Sequence, residues 1–293
     1  MSWDPPHRAA TLPLGWARRR LGELAGPLLD ARVAPGGVPL PPRRLRTRVG
    51  APDATDFVVG GRRAAEGLAG VLAAAGLPAL HRYPTVLDFG CGAGRVLPHV
   101  AALGARDGFG YCGCDVDAGA LGWAARHHPE LRFARNQAAP PLPWPPGSFE
   151  LVYSISVFSH LDEPLQDRWL AELERVLAPG GIALLSVHGG SAFDRFRSSE
   201  VQTGWCPAAV FDRAPLDADE FVFVPYVRSV WNRLELPGVS ADYGLAFHGG
   251  GYVERRWSRW LELVSVHGRA ISDWQDVVVC RKPAAEAAAQ AGG

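Results

Sequence analysis

The stretch that decides the fold is Leu87-Asp88-Phe89-Gly90-Cys91-Gly92-Ala93-Gly94-Arg95, where alternating glycines follow an apolar run and precede a helical pattern. Because glycine has no Cβ, such a turn can be tight and can approach a ligand closely. A helix that begins after the turn presents backbone N–H groups without partners inside the helix. A glycine-rich turn between a strand and a helix predicts a nucleotide site at the carboxyl edge of a parallel sheet.

The spacing of the glycines narrows the choice of ligand. A dinucleotide site has the pattern G-x-G-x-x-G, whereas here the glycines alternate and Arg95 follows the last of them. The Gly-Lys-Ser/Thr ending of a Walker A loop is also absent from this turn. Asp88, just ahead of the first glycine, suits a ligand with a cationic amine better than a pyrophosphate. S-adenosylmethionine (SAM) has this amine and no phosphate, and it is the predicted ligand.

Around the turn, short apolar runs alternate with amphipathic segments, which predicts a parallel α/β sheet wound by right-handed crossovers. Asp117 and Asp162 are the expected N-caps of two of the helices. Strands are predicted over 85–89, 109–114, 131–134, 151–155 and 182–187, with closing strands over 261–266 and 277–280, and helices over 62–75, 93–103, 118–127 and 163–177.

Asp115 ends the second predicted strand, next to the glycine turn in a parallel sheet. An acidic side chain at this place can accept hydrogen bonds from both hydroxyls of a ribose. The competing interpretation of Asp115 as a helix N-cap is weaker, because Asp117 is better placed for that role.

Several segments together resemble the class I SAM-dependent methyltransferases. They are similar to the patterns LDFGCGxGR, YxGxDVD, PPLPF-x-x-x-SFDLVYSISVFTHL and RVLxPGG of a bacterial methyltransferase-domain group, with conservative departures at Trp144, Glu150 and Ser159. The resemblance implies a Rossmann-like, seven-stranded, mostly parallel sheet with helices on both faces, an N-terminal extension, and an insert before the last strands. The segments are 87–95, 111–117, 140–161 and 175–181, followed by 243–257 and 275–278.

The resemblance also implies which residues bind the cofactor. The glycines line the methionine moiety and Asp88 holds its ammonium, while Asp115 binds the ribose. Asn136 and Gln137 lie near the adenine edge, and the end of the fourth strand passes close to the sulfonium. The full expected set is Asp88, Gly90, Cys91, Gly92, Gly94, Arg95, Asp115, Val116, Asn136, Gln137, Tyr153 and Ser154.

Methyl transfer from a sulfonium is an in-line displacement, so orientation of donor and acceptor can contribute roughly 7–11 kcal/mol without a base. A base adds roughly 10²–10⁴-fold where the acceptor loses a proton. The candidates are His160, His188, Tyr243 and His248. For His160, contact with the substrate and a packing role in its loop both remain open, whereas a structural role is favoured for His188.

The chain divides by composition into three parts. Residues 1–50, rich in Pro, Gly and Arg, are read as a solvated arm in preference to an anion-binding lid. Residues 51–283 form the SAM-binding domain, and 284–293 a disordered tail. Within the domain, 188–256 is an acceptor-side insert, whose aromatic residues either wall an acceptor pocket or form the core of a lid.

Composition limits the partners. Thirty basic and thirty acidic side chains give a formal charge of zero, which disfavours nucleic acid and anionic membranes. Five scattered cysteines without a zinc spacing favour a reducing cytoplasm, no disulfide framework and no metal. No apolar run is long enough to cross a bilayer.

The sequence therefore predicts a cytoplasmic methyltransferase for a small-molecule or sugar-containing acceptor, and the association of the resembled group with secondary metabolism agrees with this. The alternatives are a non-catalytic SAM-binding protein and a SAM-using enzyme of another reaction class. An NAD-dependent oxidoreductase is disfavoured by the glycine spacing. Neither the atom that is methylated nor the oligomeric state follows from the sequence.

Overall fold

The fold is seen in a computed structural model, which describes residues 33–34, 37–51, 53–104, 110–198, 208–226 and 243–284 of the 293-residue chain. The helices are α1 (Arg43–Arg48), α2 (Ala54–Ala74), α3 (Leu97–Gly104), α4 (Ala118–His127), α5 (Glu163–Val176), α6 (Gly190–Arg197) and α7 (Gly250–Trp257). The strands are β1 (Val86–Phe89), β2 (Tyr111–Asp115), β3 (Arg132–Arg135), β4 (Phe149–Ser154), β5 (Leu177–Val187), β6 (Phe221–Pro225), β7 (Gly244–His248), β8 (Glu262–Ile271) and β9 (Gln275–Arg281).

Seven strands form one sheet in the order β3-β2-β1-β4-β5-β9-β8. The first five are parallel to their neighbours, while β9 runs antiparallel to β5 and β8 antiparallel to β9. This arrangement confirms the predicted Rossmann-like, mostly parallel sheet. The carboxyl ends of β1, β2 and β4 meet at one edge, where the glycine turn lies.

The sheet is covered on both faces, because alternate residues of its central strands enter two different apolar clusters. Val86 of β1 packs with α2 and α3, whereas its neighbour Leu87 packs with α5 and α7. The same alternation separates Val279 from Cys280 in β9. Helices on both faces were expected, and the apolar runs of β1 and β4 are explained by this double burial.

Most predicted elements are present, and two helix starts differ. Helix α3 begins at Leu97 instead of residue 93, because Gly94 has a φ of 74°, which a right-handed helix cannot accommodate. Helix α2 begins at Ala54 instead of residue 62, since Asp53 caps it by accepting a hydrogen bond from the backbone N–H of Asp56. The predicted caps Asp117 and Asp162 are both confirmed.

Arg46 departs from the predicted solvated arm, whereas Arg44 and Arg48 in the same segment are exposed. Arg46 is buried in α1 and donates to the backbone oxygen of Pro41 at 2.7 Å. Leu40 and Leu45 pack with Trp123 of α4, so this segment is attached to the domain by an apolar cluster. The remaining predicted arm, apart from a few residues, and the predicted tail after residue 284 lie outside the described residues.

The described parts of the segment 188–256 contact the chain that follows β4 and β5. Its strands β6 and β7 form a separate antiparallel pair, and bridges join Leu161 to Tyr243 and His188 to Phe247. It has its own aromatic core, which includes Phe193. Residues 199–207 and 227–242, with Trp205 and Trp231, lie outside the described residues. Within the described ranges, none of the helices has the length and apolar character needed to span a bilayer.

Candidate functional site

The glycine turn is a sharply bent backbone held against β2. The N–H groups of Gly90 and Cys91 both donate to the Cys114 oxygen at 2.9 Å, and Gly90, Gly92 and Gly94 all have positive φ. A Cβ on Gly92 would lie 2.6 Å from Cγ1 of Val49, and a Cβ on Gly90 would collide with Cγ2 of Val157. The turn therefore needs glycine both for its backbone angles and for the close approach of its neighbours.

We expect Gly90→Ala to lower the free energy of unfolding by about 2 kcal/mol and SAM affinity by roughly tenfold, because alanine is strained at positive φ and meets Val157. Chemical denaturation and titration calorimetry measure the two effects. Gly122→Ala in α4 is the matched control: nothing stands near its Cβ, and alanine there should stabilise by roughly 0.5–1 kcal/mol. Equal behaviour of the two variants would contradict the strain at Gly90.

Asp115 connects the tip of β2 to the glycine turn. Its Oδ2 accepts from the N–H of Gly92 and its Oδ1 from the N–H of Asp117, both at 2.8 Å. Asp117 in turn caps α4 and forms an ion pair with Arg48 of α1. Burial raises the pKa of Asp115, and the N–H of Gly92 opposes that rise by favouring the charged form. The carboxylate is thus fixed beside the turn, with lone pairs left to accept hydroxyl hydrogens.

Asp88 is buried in β1 directly below the turn, paired in register with Tyr153 of β4. Burial raises the pKa of its carboxyl to about 7, while the Tyr153 hydroxyl and Arg95 favour the charged form and Asp115 opposes it. A cation placed in the turn would favour the ionised carboxylate further. Such a group suits the ammonium of an amino acid.

Asn136 follows β3 beside Asp115, whose backbone oxygen accepts from its N–H at 3.1 Å. Its Nδ2 donates to the Gln137 oxygen at 2.8 Å, and its buried Oδ1 has no hydrogen-bond partner among the described residues. Val116 next to it is 47% exposed. An apolar surface beside an unused amide oxygen suits a purine ring with an amino group. Together with the glycine turn, these residues fit SAM.

Several of the other predicted cofactor residues have buried side chains. Cys91, Tyr153 and Ser154 are buried, and burial raises the pKa of the Cys91 thiol. Arg95 is packed under α2, where its backbone oxygen occupies the place that a Cβ on Gly61 would need. The contact between Arg95 and Gly61 joins the end of the glycine turn to α2.

Three of the four catalytic candidates come together above β4 and β5. The ring of His160 stacks on that of Tyr243 with centroids 6.1 Å apart, and it meets His188 edge-on at 5.7 Å. Nδ1 of His160 lies 2.9 Å from the Gly244 oxygen and 2.8 Å from the hydroxyl of Tyr226. Burial lowers the pKa of His160, so its ring is neutral near pH 7.

His248 does not join this group. It is buried, with Nε2 3.0 Å from Oε1 of Gln166, whose own amide donates to the backbone oxygens of Phe158 and Leu161. Burial lowers the pKa of His248 to about 3. Through Gln166, His248 therefore helps to hold the backbone of the loop after β4 in place.

Sequence reasoning missed Val49 and Val157, and it included Tyr226 only as one of the aromatic residues of the insert. Tyr226 reaches His160 through the β6–β7 pair, and these strands are separated by 18 residues, too many for the signal of a short hairpin loop. Val49 follows α1 and contacts Gly92. The arginine pattern of α1 predicted an exposed segment, so this contact was not expected. The contact of Val157 could have been predicted from the sequence. Val157 follows β4 at the same edge of the sheet as the glycine turn, which follows the neighbouring strand β1.

We expect SAM affinity to rise with pH, approaching tenfold per unit between about pH 5.5 and 6.5, because the Asp88 carboxyl has a pKa of about 7 and must ionise to pair with an ammonium. The same raised pKa means that the unliganded protein loses stability as the pH rises from the ordinary aspartate pKa of 3.8 to about 7. Titration calorimetry across this range measures the slope. In Asp88→Asn the slope should vanish, and a persisting slope would assign the titration to another group.

A sheet of this order, with a glycine turn after β1 and a fixed acidic side chain at the tip of β2, defines the class I SAM-dependent methyltransferase fold. Residues 86–181 match a family model described as a methyltransferase domain. Over these residues the chain is therefore similar to the methyltransferase-domain family, and the geometry of the site agrees with SAM as the cofactor.

One curated relative is an uncharacterized methyltransferase, sll0829, of a Synechocystis species, 34% identical over 128 residues. The match covers 43% of this chain and 53% of the relative, so the chain spans about half the length of the protein it matches. Similar solved structures include the PH0226 protein of Pyrococcus horikoshii, with a TM-score of 0.52, 13% identity and coverage of 78% of this chain and 95% of that one. Another is a SAM-dependent methyltransferase of Clostridium acetobutylicum, with a TM-score of 0.51, 10% identity and coverage of 78% and 96%. At these identities the solved structures support the fold.

Proposed function

We propose that this protein is a methyltransferase that moves the methyl group of SAM to a small-molecule or sugar-containing acceptor. The observation that carries the proposal is the Asp115 carboxylate, held 2.8 Å from the Gly92 N–H at the carboxyl edge of the sheet. This geometry lies inside the segment that matches the methyltransferase domain.

Each part of the site has a proposed task in holding the cofactor. The Asp88 carboxylate pairs with the ammonium, and the glycine turn surrounds the methionine chain. Asp115 accepts from both ribose hydroxyls, because each of its oxygens keeps a lone pair beyond the backbone bonds. The Asn136 oxygen accepts from the adenine amino group, and Val116 covers one face of the ring.

When bound, SAM supplies a methyl group that is already activated by its sulfonium. The protein then needs to align the acceptor with the methyl group and exclude water. His160 is the proposed general base. With Nδ1–H donating to the Gly244 oxygen, Nε2 is the atom that accepts a proton from the acceptor. Tyr243 and His188 hold the plane of the His160 ring.

The acceptor proposal is supported by the groups around His160, which are aromatic and uncharged. Burial lowers the pKa of both His160 and His188 and raises that of Tyr243. A formal charge of zero gives no general attraction to nucleic acid. A neutral acceptor in the cytoplasm is the proposal that agrees with these observations.

The binding of SAM is tested first, and the transfer of its methyl group is tested second. Calorimetry with SAM, S-adenosylhomocysteine and NADH should show binding of the first two only. Incubation with methyl-labelled SAM and a panel of phenols, glycosides and amines should then label an acceptor. Binding without transfer across such a panel would favour the non-catalytic alternative, and NADH binding would overturn the cofactor assignment.

A further inference from the structure

Three side chains that are far apart in the sequence form a closed ring of hydrogen bonds at the carboxyl edge of the sheet. The N–H of Ser156 donates to Oγ of Ser186 at 2.8 Å, and that hydroxyl donates to Oε1 of Gln275 at 2.6 Å. Nε2 of Gln275 then donates to Oγ of Ser156 at 2.7 Å, which closes the ring. Each group acts in a role that its chemistry allows, so all three bonds form at once.

The ring joins the strands β5 and β9 to the loop after β4, which carries the proposed base. Ser186 is the penultimate residue of β5, Gln275 is the first residue of β9, and Ser156 follows β4. Ser186 and Gln275 are buried, where an unpaired hydroxyl or amide would be costly. Since water has little access, the ring is a rigid connection between the strands and the loop after β4.

Ser156 has a φ of 61°, a left-handed conformation that is uncommon for a residue with a side chain. Two of the three hydrogen bonds of the ring end on this residue, through its N–H and its Oγ. Such strain persists where surrounding contacts fix it, and it is concentrated at functional sites. The ring is the contact that fixes Ser156.

The next residues connect this strained position to both halves of the site. Val157 packs on Gly90, where its Cγ2 fills the space that a Cβ would need. The backbone oxygen of Val157 accepts from the N–H of His160 at 2.9 Å. A shift at Ser156 would therefore move the wall of the glycine turn and the proposed base together.

We propose that Ser156, Ser186 and Gln275 are positioning residues, which hold the loop after β4 in the geometry that methyl transfer requires. The consequence for transfer rests on the proposed function, whereas the effect on the loop does not. Methyl transfer is sensitive to alignment, and a displacement of about 1 Å can cost up to about 10² in rate.

The test uses Ser186→Ala, Gln275→Met, their combination, and Ser156→Gly, which keeps the left-handed backbone and removes the hydroxyl. Ser265→Ala in β8 is the matched control, because its hydroxyl also bonds a side chain, Nε2 of His267, at 2.9 Å. Hydrogen exchange of the amides of residues 155–161 is measured in the full chain, with thermal unfolding as the check on folding.

We expect exchange over 155–161 to accelerate by about tenfold in each single ring variant and no further in the combination, since one break opens the ring. In the assay with labelled SAM, kcat should fall about tenfold, and KM for SAM should rise by a smaller factor because Val157 also borders the glycine turn. Ser265→Ala should leave exchange and kcat as they are in the wild type.

Unchanged exchange in the ring variants would overturn the positioning role, whether or not the wild type transfers methyl groups. Additive effects of Ser186→Ala and Gln275→Met on hydrogen exchange would also overturn the positioning role. The two side chains would then act through independent contacts and not through one ring. A wild type that does not bind SAM would count against the proposed function, while the exchange comparison would still decide the role of the ring.

Discussion

Replacing Asp115 by alanine should weaken SAM binding by at least about 100-fold. The proposed contacts are two hydrogen bonds from ribose hydroxyls to a charged carboxylate, each contributing roughly 1.5–3 kcal/mol. The variant also removes the acceptor of the Gly92 and Asp117 N–H groups, so the turn and the start of α4 lose their connection. Titration calorimetry with SAM measures the change.

Asp162→Ala is the control for this experiment. Asp162 caps α5 by accepting from the N–H of Leu165 at 2.9 Å, as Asp117 caps α4, so its loss should cost about 1 kcal/mol of stability and leave SAM affinity unchanged. If the affinity of Asp115→Ala for SAM were within about threefold of the wild type, the carboxylate would not be part of the cofactor site.

Replacing His160 by glutamine should lower kcat by roughly 10²–10⁴-fold, because the proposed acceptor loses its proton to Nε2 in the transition state. Glutamine has an amide of similar reach but is not a base at neutral pH. The Kd for SAM should stay within about threefold of the wild type, since His160 lies on the acceptor side of the turn. The assay with labelled SAM measures kcat, and titration calorimetry measures the Kd for SAM.

The pH profile separates a base from a packing residue. In the wild type, kcat should fall as the pH drops through the pKa of His160, which burial places below the usual value for histidine. The profile should flatten in His160→Gln. His127→Gln, at the exposed end of α4, is the control and should match the wild type. Unchanged kcat in His160→Gln would leave His160 with the structural role of orienting its loop.

The sequence predicted the parallel core because its signals are local. The glycine turn, the Asp117 cap and the apolar runs of β1 and β4 each depend on residues within a few positions of one another. For elements with such signals, the predicted bounds lie within a few residues of the observed ones. The start of α3 was misplaced because the pattern of Val96 and Leu97 extends into the turn, while only the positive φ of Gly94 shows where the helix can begin.

Contacts between segments that are distant in the chain could not be predicted from the sequence. Nothing near Arg46 indicates that its guanidinium is buried against Pro41, and alternating basic residues ordinarily mark a solvated face. The grouping of His160 with Tyr226 depends on a pair of strands that covers the ends of β4 and β5. His248 was a candidate base together with His160, and its bond to Gln166 could not be foreseen from the sequence.

The position of β9 in the sheet has a consequence for the synthesis of the protein. β9 lies between β5 and β8, although it is the last strand of the sheet to leave the ribosome. Until then β5 has an unpaired edge, β8 has no neighbour, and Ser186 lacks Gln275. A nascent or truncated chain that ends before residue 275 would hold the glycine turn but expose an apolar strand edge, which is the kind of surface that aggregates.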